Sequence, residues 1–246
     1  MDYTIRTAGD SALLIAFEQA IKPEINQRIK GLLQLMKEQP IEGVLDIIPA
    51  FASLLLTYDP RIISYSSLSK RLSKLLKLNI KTKDGQHRIL EIPVCYDGDY
   101  GPDLDFVAQY AGLSKEEVIH RHSSRDYLIY MLGFLPGFTY LGGLDEAIHT
   151  PRLDNPRLSI EAGSVGIGGN QTGIYPISSP GGWQLIGRTP VKTYDPSRKT
   201  PILFEAGDYI RFKPISQEAF DTIEKAVAEG SYAITILTEE EVRHGH

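Results

Sequence analysis

The residues of this chain best equipped for chemistry lie in its glycine- and proline-rich second half. In Ser179-Pro180-Gly181-Gly182-Trp183-Gln184 the only tryptophan follows two glycines. A flat apolar face therefore stands beside backbone amides without side-chain cover, which makes a wall for a small planar amide. Arg188 and Thr189 close the motif, and the Arg188 guanidinium can hold a carboxylate through two parallel hydrogen bonds. Arg152 and Arg157, each beside a proline step, are alternative anion holders. Tyr140 offers an aromatic ring with a polar tip, the form expected of a cleft residue. Gln171 and Thr172 end a glycine run where a turn would present polar groups to a substrate or partner.

Positioning these groups requires short strands and tight turns. Residues 130–189 are dense in Gly and Pro and carry aromatics at nearly every break. Glycine accepts positive φ, whereas proline fixes φ and removes a donor. Residues 133–140 need a sharp turn at Pro136-Gly137, and its aromatics either fill the barrel or line the cleft, with core packing expected for one of Phe134 and Phe138. Gly163, Gly166, Gly168 and Gly169 resemble a phosphate loop only superficially. No GK[ST] ending and no helix signal follow, so strand and turn geometry is the expectation. Ser123, Ser124, Ser164 and Ser179 form no nucleophile elbow, because G-x-S-x-G is absent. His120 and His122 are two apart on a helix, on different faces, and so form a poor chelating pair. Cys95 sits in a strand-like run where a buried, inert thiol is expected.

Composition narrows the function classes. The chain has 246 residues, with a formal charge of −5, and its Lys and Arg are dispersed, so nothing favours nucleic acid. The single cysteine excludes an intramolecular disulfide or a cysteine metal site. Apolar runs are interrupted well short of membrane-spanning length. The N-terminus lacks a basic segment followed by an apolar one, so a cytoplasmic location is expected.

The pattern divides into two domains, 1–86 and 87–246. The first reads as βαββαβ with an extra strand at residues 3–6 and a returning strand at 88–94. That order fits an α+β, ferredoxin-like layer. Its helices follow Pro23 and Ser64 or Ser66, with Pro40 stopping the first. The second domain opens with two short helices, the first capped by Asp103 and closed by Gly112, the second begun by the Ser114/Glu117 capping box. Many short strands follow, in the manner of a small β-barrel or sandwich. A late helix after Ser216, a closing strand at 232–237 and a fraying charged tail complete it.

Four segments carry a resemblance: IPVCYDGDYGPDL (92–104), YMLGFLPGFTYLGGLD (130–145), GSVGIGGNQTGIYP (163–176) and SPGGWQLIGRTP (179–190). In this order they resemble the carboxyltransferase C/D family, also called allophanate hydrolase subunit 1. The resemblance implies a mainly β, cyclophilin-like barrel for the second domain. It also implies a sibling carboxyltransferase-type subunit as partner, with a shared cleft, and a third, lactam-utilisation subunit. In that assembly 5-oxo-L-proline is opened to L-glutamate with ATP and a divalent cation. No biotinyl-lysine motif is present, so this chain carries no biotin. Residues 122–130 match the family's pattern ahead of its GFxPGF stretch, which makes His122 the candidate acid/base. With it, Tyr140, Gln171, Thr172, Trp183 and Arg188 are the residues expected at the cleft. The alternative that it implies is a binding protein that inhibits a sporulation-type histidine kinase.

Overall fold

The computed structural model describes residues 2–20, 22–78 and 88–238. The chain folds as two compact units, Met1–Gly85 and Gln86–His246. The boundary expected between 86 and 87 falls outside the described residues, as does the charged tail.

In the first unit β1 (Thr4–Thr7) and β2 (Ala12–Ala16) precede α1 (Pro23–Glu38), β3 (Val44–Pro49), β4 (Ser53–Tyr58) and α2 (Tyr65–Lys77). Helical spacing puts Ile25, Ile29, Leu32 and Met36 on one buried stripe of α1. Ser64 caps α2 by accepting the Ser67 N–H at 3.3 Å. Leu68, Leu72 and Leu76 then bury the facing stripe. Both stripes share a core with Leu13 and Ile15 of β2 and Leu54 and Leu56 of β4, which alternate inward with period two. Burying each such side chain contributes about 1.5–3 kcal/mol.

The sheet order is β1-β2-β4-β3, antiparallel throughout. Here the structure corrects the expected returning strand. β1 takes the open edge beside β2, and residues 88–94 pair in the second unit instead. Gly9, at φ +72°, turns β1 straight into β2. A local hairpin closes a far shorter loop than pairing with a strand beyond α2.

The second unit comprises β5 (Arg88–Val94), α3 (Leu104–Ala111), α4 (Lys115–Ser123), β6 (Asp126–Leu132), β7 (Thr139–Gly142), β8 (Arg157–Ile160), β9 (Ser164–Gly168) and β10 (Gln171–Ile174). It continues with β11 (Ser179–Gly181), β12 (Gln184–Arg188), β13 (Tyr209–Pro214), α5 (Gln217–Ala228) and β14 (Ile236–Thr238). One sheet runs β12-β9-β10-β7-β6-β13-β5-β14, and β8 and β11 pair separately. Cys95, just past β5, and Arg188, at the end of β12, exchange both backbone hydrogen bonds at 2.9 Å. That bridge closes the sheet on itself. Ile92, Val94, Ile129, Val165, Ile186 and Phe212 fill the interior, each with no exposed surface.

Ser114 caps α4 through the Glu117 N–H, Gly112 closes α3 in the left-handed conformation, and Ser216 caps α5. Asp103 departs from expectation. It stands at the start of α3 but makes no cap bond there. Its carboxylate instead accepts the Leu185 N–H and an Arg157 N–H, each at 2.6 Å. A charged partner and a strand amide together outweigh one helix-terminal amide. No helix among the described residues is long and apolar enough to cross a membrane.

Candidate functional site

The turn between β6 and β7 begins the site. Gly137 takes φ +83° there, and the Phe138 N–H donates back to Leu135 O at 3.0 Å. This geometry buries Phe138, at 2% exposure, and leaves Phe134 at 67%. Phe134 itself has φ +66°, unlike any other described non-glycine residue. That conformation costs an L-residue about 1–2 kcal/mol.

Phe138 is the hub of an aromatic cluster. Its ring stands edge-on to Phe134, Tyr175 and Trp183, with centroids 5.7, 5.2 and 5.5 Å away. Tyr140 lies tilted against it at 5.0 Å. Such pairs contribute about 0.5–1.5 kcal/mol beyond their burial. These rings, together with Arg152, Gly181 and Gly182, line an open pocket of ≈ 110 Å³. That is the space of about four waters, enough for a small ring and far too little for a nucleotide.

The glycine run supplies the bed of this pocket. A Cβ at Gly168 of β9 would stand 2.6 Å from Cδ1 and Cε2 of Trp183. One at Gly173 of β10 would stand 3.1 Å from Cζ3 of the same ring. The indole lies against bare backbone on two neighbouring strands. The run is thus strand and turn, as its sequence suggested, and its glycines make room for Trp183.

Trp183 and Tyr140, both named as cleft candidates, line this one pocket. Burial pushes the Tyr140 and Tyr175 hydroxyls up from their ordinary values, and the charge of Arg152 opposes this at both. Of the two phenylalanines at the turn Phe138 is the one that packs inside, and Tyr175 joins it at the pocket. The signal for them was the aromatic at each Gly/Pro break, which does not say which ring faces inward.

His122 lies elsewhere, inside the barrel with no exposed surface. Its Nδ1 is 2.8 Å from the Tyr96 hydroxyl and its Nε2 2.8 Å from Thr172 Oγ1. The Thr172 hydroxyl donates to Gly166 O at 2.9 Å, so it accepts from Nε2–H, and Nδ1 accepts from Tyr96. The ring also stacks on Phe212, with centroids 4.5 Å apart. Burial holds the imidazole at a pKa of about 3, hence neutral. This departs from the acid/base expectation: both nitrogens are occupied and the ring has no exposed surface, so His122 pins α4 to the sheet. Thr172 departs from expectation with it, being fully buried and committed to the same network. Gln171, half-buried opposite Gly168, does not line the pocket.

Arg188 is also displaced from the expected role. It forms an ion pair with Glu161, and its guanidinium carbon lies 4.7 Å from the Tyr100 centroid. It lines a separate cavity of ≈ 440 Å³ beside α5 that shares no residue with the aromatic pocket. The course of β12 decides this: Trp183 precedes the strand and Arg188 ends it. Arg157 is bound to Asp103. Arg152 is the arginine at the pocket, its guanidinium carbon 5.7 Å from the Trp183 ring centroid. Cys95 is buried, and burial pushes its thiol up, which suits an inert core residue.

A closed sheet with an aromatic pocket at its turns places the chain in a class that comparison identifies. The family model for the carboxyltransferase domain, subdomains C and D, matches residues 3–204, and the chain belongs to that family. It is 44% identical over 228 residues to a 5-oxoprolinase subunit of Bacillus subtilis (strain 168), covering 89% of this chain and 95% of that one. A solved structure of a conserved uncharacterized protein from Pyrococcus horikoshii is 47% identical, covering 88% of this chain and 100% of that one, with a TM-score of 0.53. The urea amidolyase of K. lactis shares the fold, with a TM-score of 0.81 and 22% identity over 96% of this chain and 16% of that one.

Proposed function

We propose that this chain is a subunit of an ATP-dependent 5-oxoprolinase that opens the lactam of 5-oxo-L-proline to L-glutamate. It acts with a sibling carboxyltransferase-type subunit and a lactam-utilisation subunit, in the cytoplasm. The observation that carries this reading is the match to a 5-oxoprolinase subunit over 95% of that protein's length. The pocket suits it: Phe138, Tyr140, Tyr175 and Trp183 form largely apolar walls around a space of the size of a five-membered ring.

The finer architecture belongs to the same reading. The first unit is a ferredoxin-like layer in which β1 stands in for the returning strand. The second is a cyclophilin-like barrel.

ATP and a divalent cation enter at the level of the assembly. Within this chain the glycine run is packed under Trp183 and offers no phosphate cradle. Among the described residues no group of three or more His, Cys, Asp or Glu is gathered for a metal. What this chain supplies is a shaped aromatic wall for the ring.

Reconstitution tests the proposal. The three subunits together should release glutamate from 5-oxo-L-proline only with ATP, and omission of this chain should abolish release. ATP-dependent turnover that persists without it would sink the reading.

A further inference from the structure

We infer that the aromatic pocket is a binding site for a small ring carboxylate, with Arg152 as the residue that holds the anion. The inference rests on the reading of this pocket as the substrate site and assigns its charge recognition.

Three observations carry it. The first is that Arg152 is held in place by its backbone rather than by a partner for its charge. Thr150 and Gly169 exchange backbone hydrogen bonds at 3.2 and 2.8 Å. The Gln184 amide donates to Pro151 O at 3.0 Å, and the Leu153 N–H donates to Gly182 O at 2.6 Å. The residue before Arg152 and the residue after it are thus both tied to the loop that carries Trp183. The backbone that carries Arg152 is therefore fixed at the pocket's edge, so only its own side chain has to be ordered when a ligand binds.

The second is its solitude. Every other arginine among described residues 88–238 is paired with a carboxylate. Arg152 has no carboxylate partner among the described residues; its recorded neighbour is the Trp183 face. Cation–π contact orients a guanidinium without neutralising it, so its hydrogen-bond fork stays open to an anion.

The third is the remaining polar group. The Tyr140 hydroxyl, half-buried at the same pocket, makes no hydrogen bond to a described residue. A ring amide can take it while the carboxylate lies on Arg152. Phe134, exposed at the mouth in its left-handed conformation, edges the same opening. The Tyr175 hydroxyl at the same pocket is engaged by the Trp183 backbone. The pocket therefore offers one cation, one uncommitted hydroxyl and apolar walls, the complement of a small ring bearing one carboxylate and one amide.

Because Trp183 is the only tryptophan, its fluorescence reports occupancy directly in the full chain. Titration with 5-oxo-L-proline should give a saturable change, with calorimetry as a readout independent of the fluorophore. Arg152→Gln should weaken the affinity about 10- to 100-fold, the loss of one charge-assisted pair. The neutral carboxamide of the same ring should bind wild type as weakly as the acid binds Arg152→Gln. Arg188→Gln should bind like wild type. No saturable response in wild type, or equal affinity in Arg152→Gln, would overturn the inference, as would a comparable loss in Arg188→Gln. Turnover by the reconstituted assembly alongside any of those results would leave the functional reading standing. Tight, Arg152-dependent binding without turnover would remove that reading alone.

Discussion

Replacing Gly168 by Ala should expel the indole from its bed. The added methyl carbon would lie 2.6 Å from Cδ1 and Cε2 of Trp183, against the 3.5–4.0 Å at which carbon atoms rest. The ring must recede by roughly 1 Å. Gly173 and Phe138 already bound it on other sides, so the open direction is the ≈ 110 Å³ pocket. Overpacking of this kind costs about 1–3 kcal/mol. For a unit of this size a loss of about 2 kcal/mol lowers Tm by roughly 6 °C. Gly169→Ala is the control. Gly169 has φ +67° with nothing within 4 Å of its Cβ position, so alanine there costs about 1–2 kcal/mol in backbone conformation and leaves the indole untouched. The two variants should lose similar stability in urea unfolding. Only Gly168→Ala should shift the Trp183 emission maximum and near-UV circular dichroism. Wild-type spectra and midpoint in Gly168→Ala would refute the packing argument.

Two further outcomes follow from the buried His122 network and a third from Asp103. With its folded pKa held near 3 against 6.5 in the unfolded chain, His122 contributes fully above pH 6.5, and that contribution declines as pH falls from 6.5 towards 3. The wild type should therefore lose about 1.4 kcal/mol per pH unit more than His122→Gln below pH 6, and parallel urea-midpoint slopes would contradict this. Tyr96→Phe removes the donor to His122 Nδ1 and should destabilise by about 1–3 kcal/mol, read from the urea midpoint with emission unchanged. Asp103→Ala strips partners from the Leu185 N–H and from Arg157, and should lower stability by about 2–3 kcal/mol in the same assay, whereas a neutral result would show the pair to be solvated.

Local rules made much of the molecule legible before any coordinate. Pro23, Ser64, Ser114, Gly112 and Ser216 mark helix ends because capping depends on neighbours a few residues away. The stripe of α1 and the alternation of β2 and β4 follow from fixed periods, and the turn at Pro136-Gly137 from backbone sterics. The aromatic, glycine-rich character of the site was visible for the same reason, as was the family resemblance carried by its motifs.

What only tertiary structure decided was which of several equivalent groups meet. Arg152, Arg157 and Arg188 look alike in sequence, yet Asp103 takes one, Glu161 another, and the third is left over Trp183. His122 looked like an acid/base because residue type gives its chemistry, but burial and two hydrogen bonds decide its protonation. Residues 88–94 had the right pattern to complete the first sheet, and a strand pattern does not name its partner. Pairing, burial and charge compensation are set by groups distant along the chain. Their energies exist only once the chain has brought those groups together.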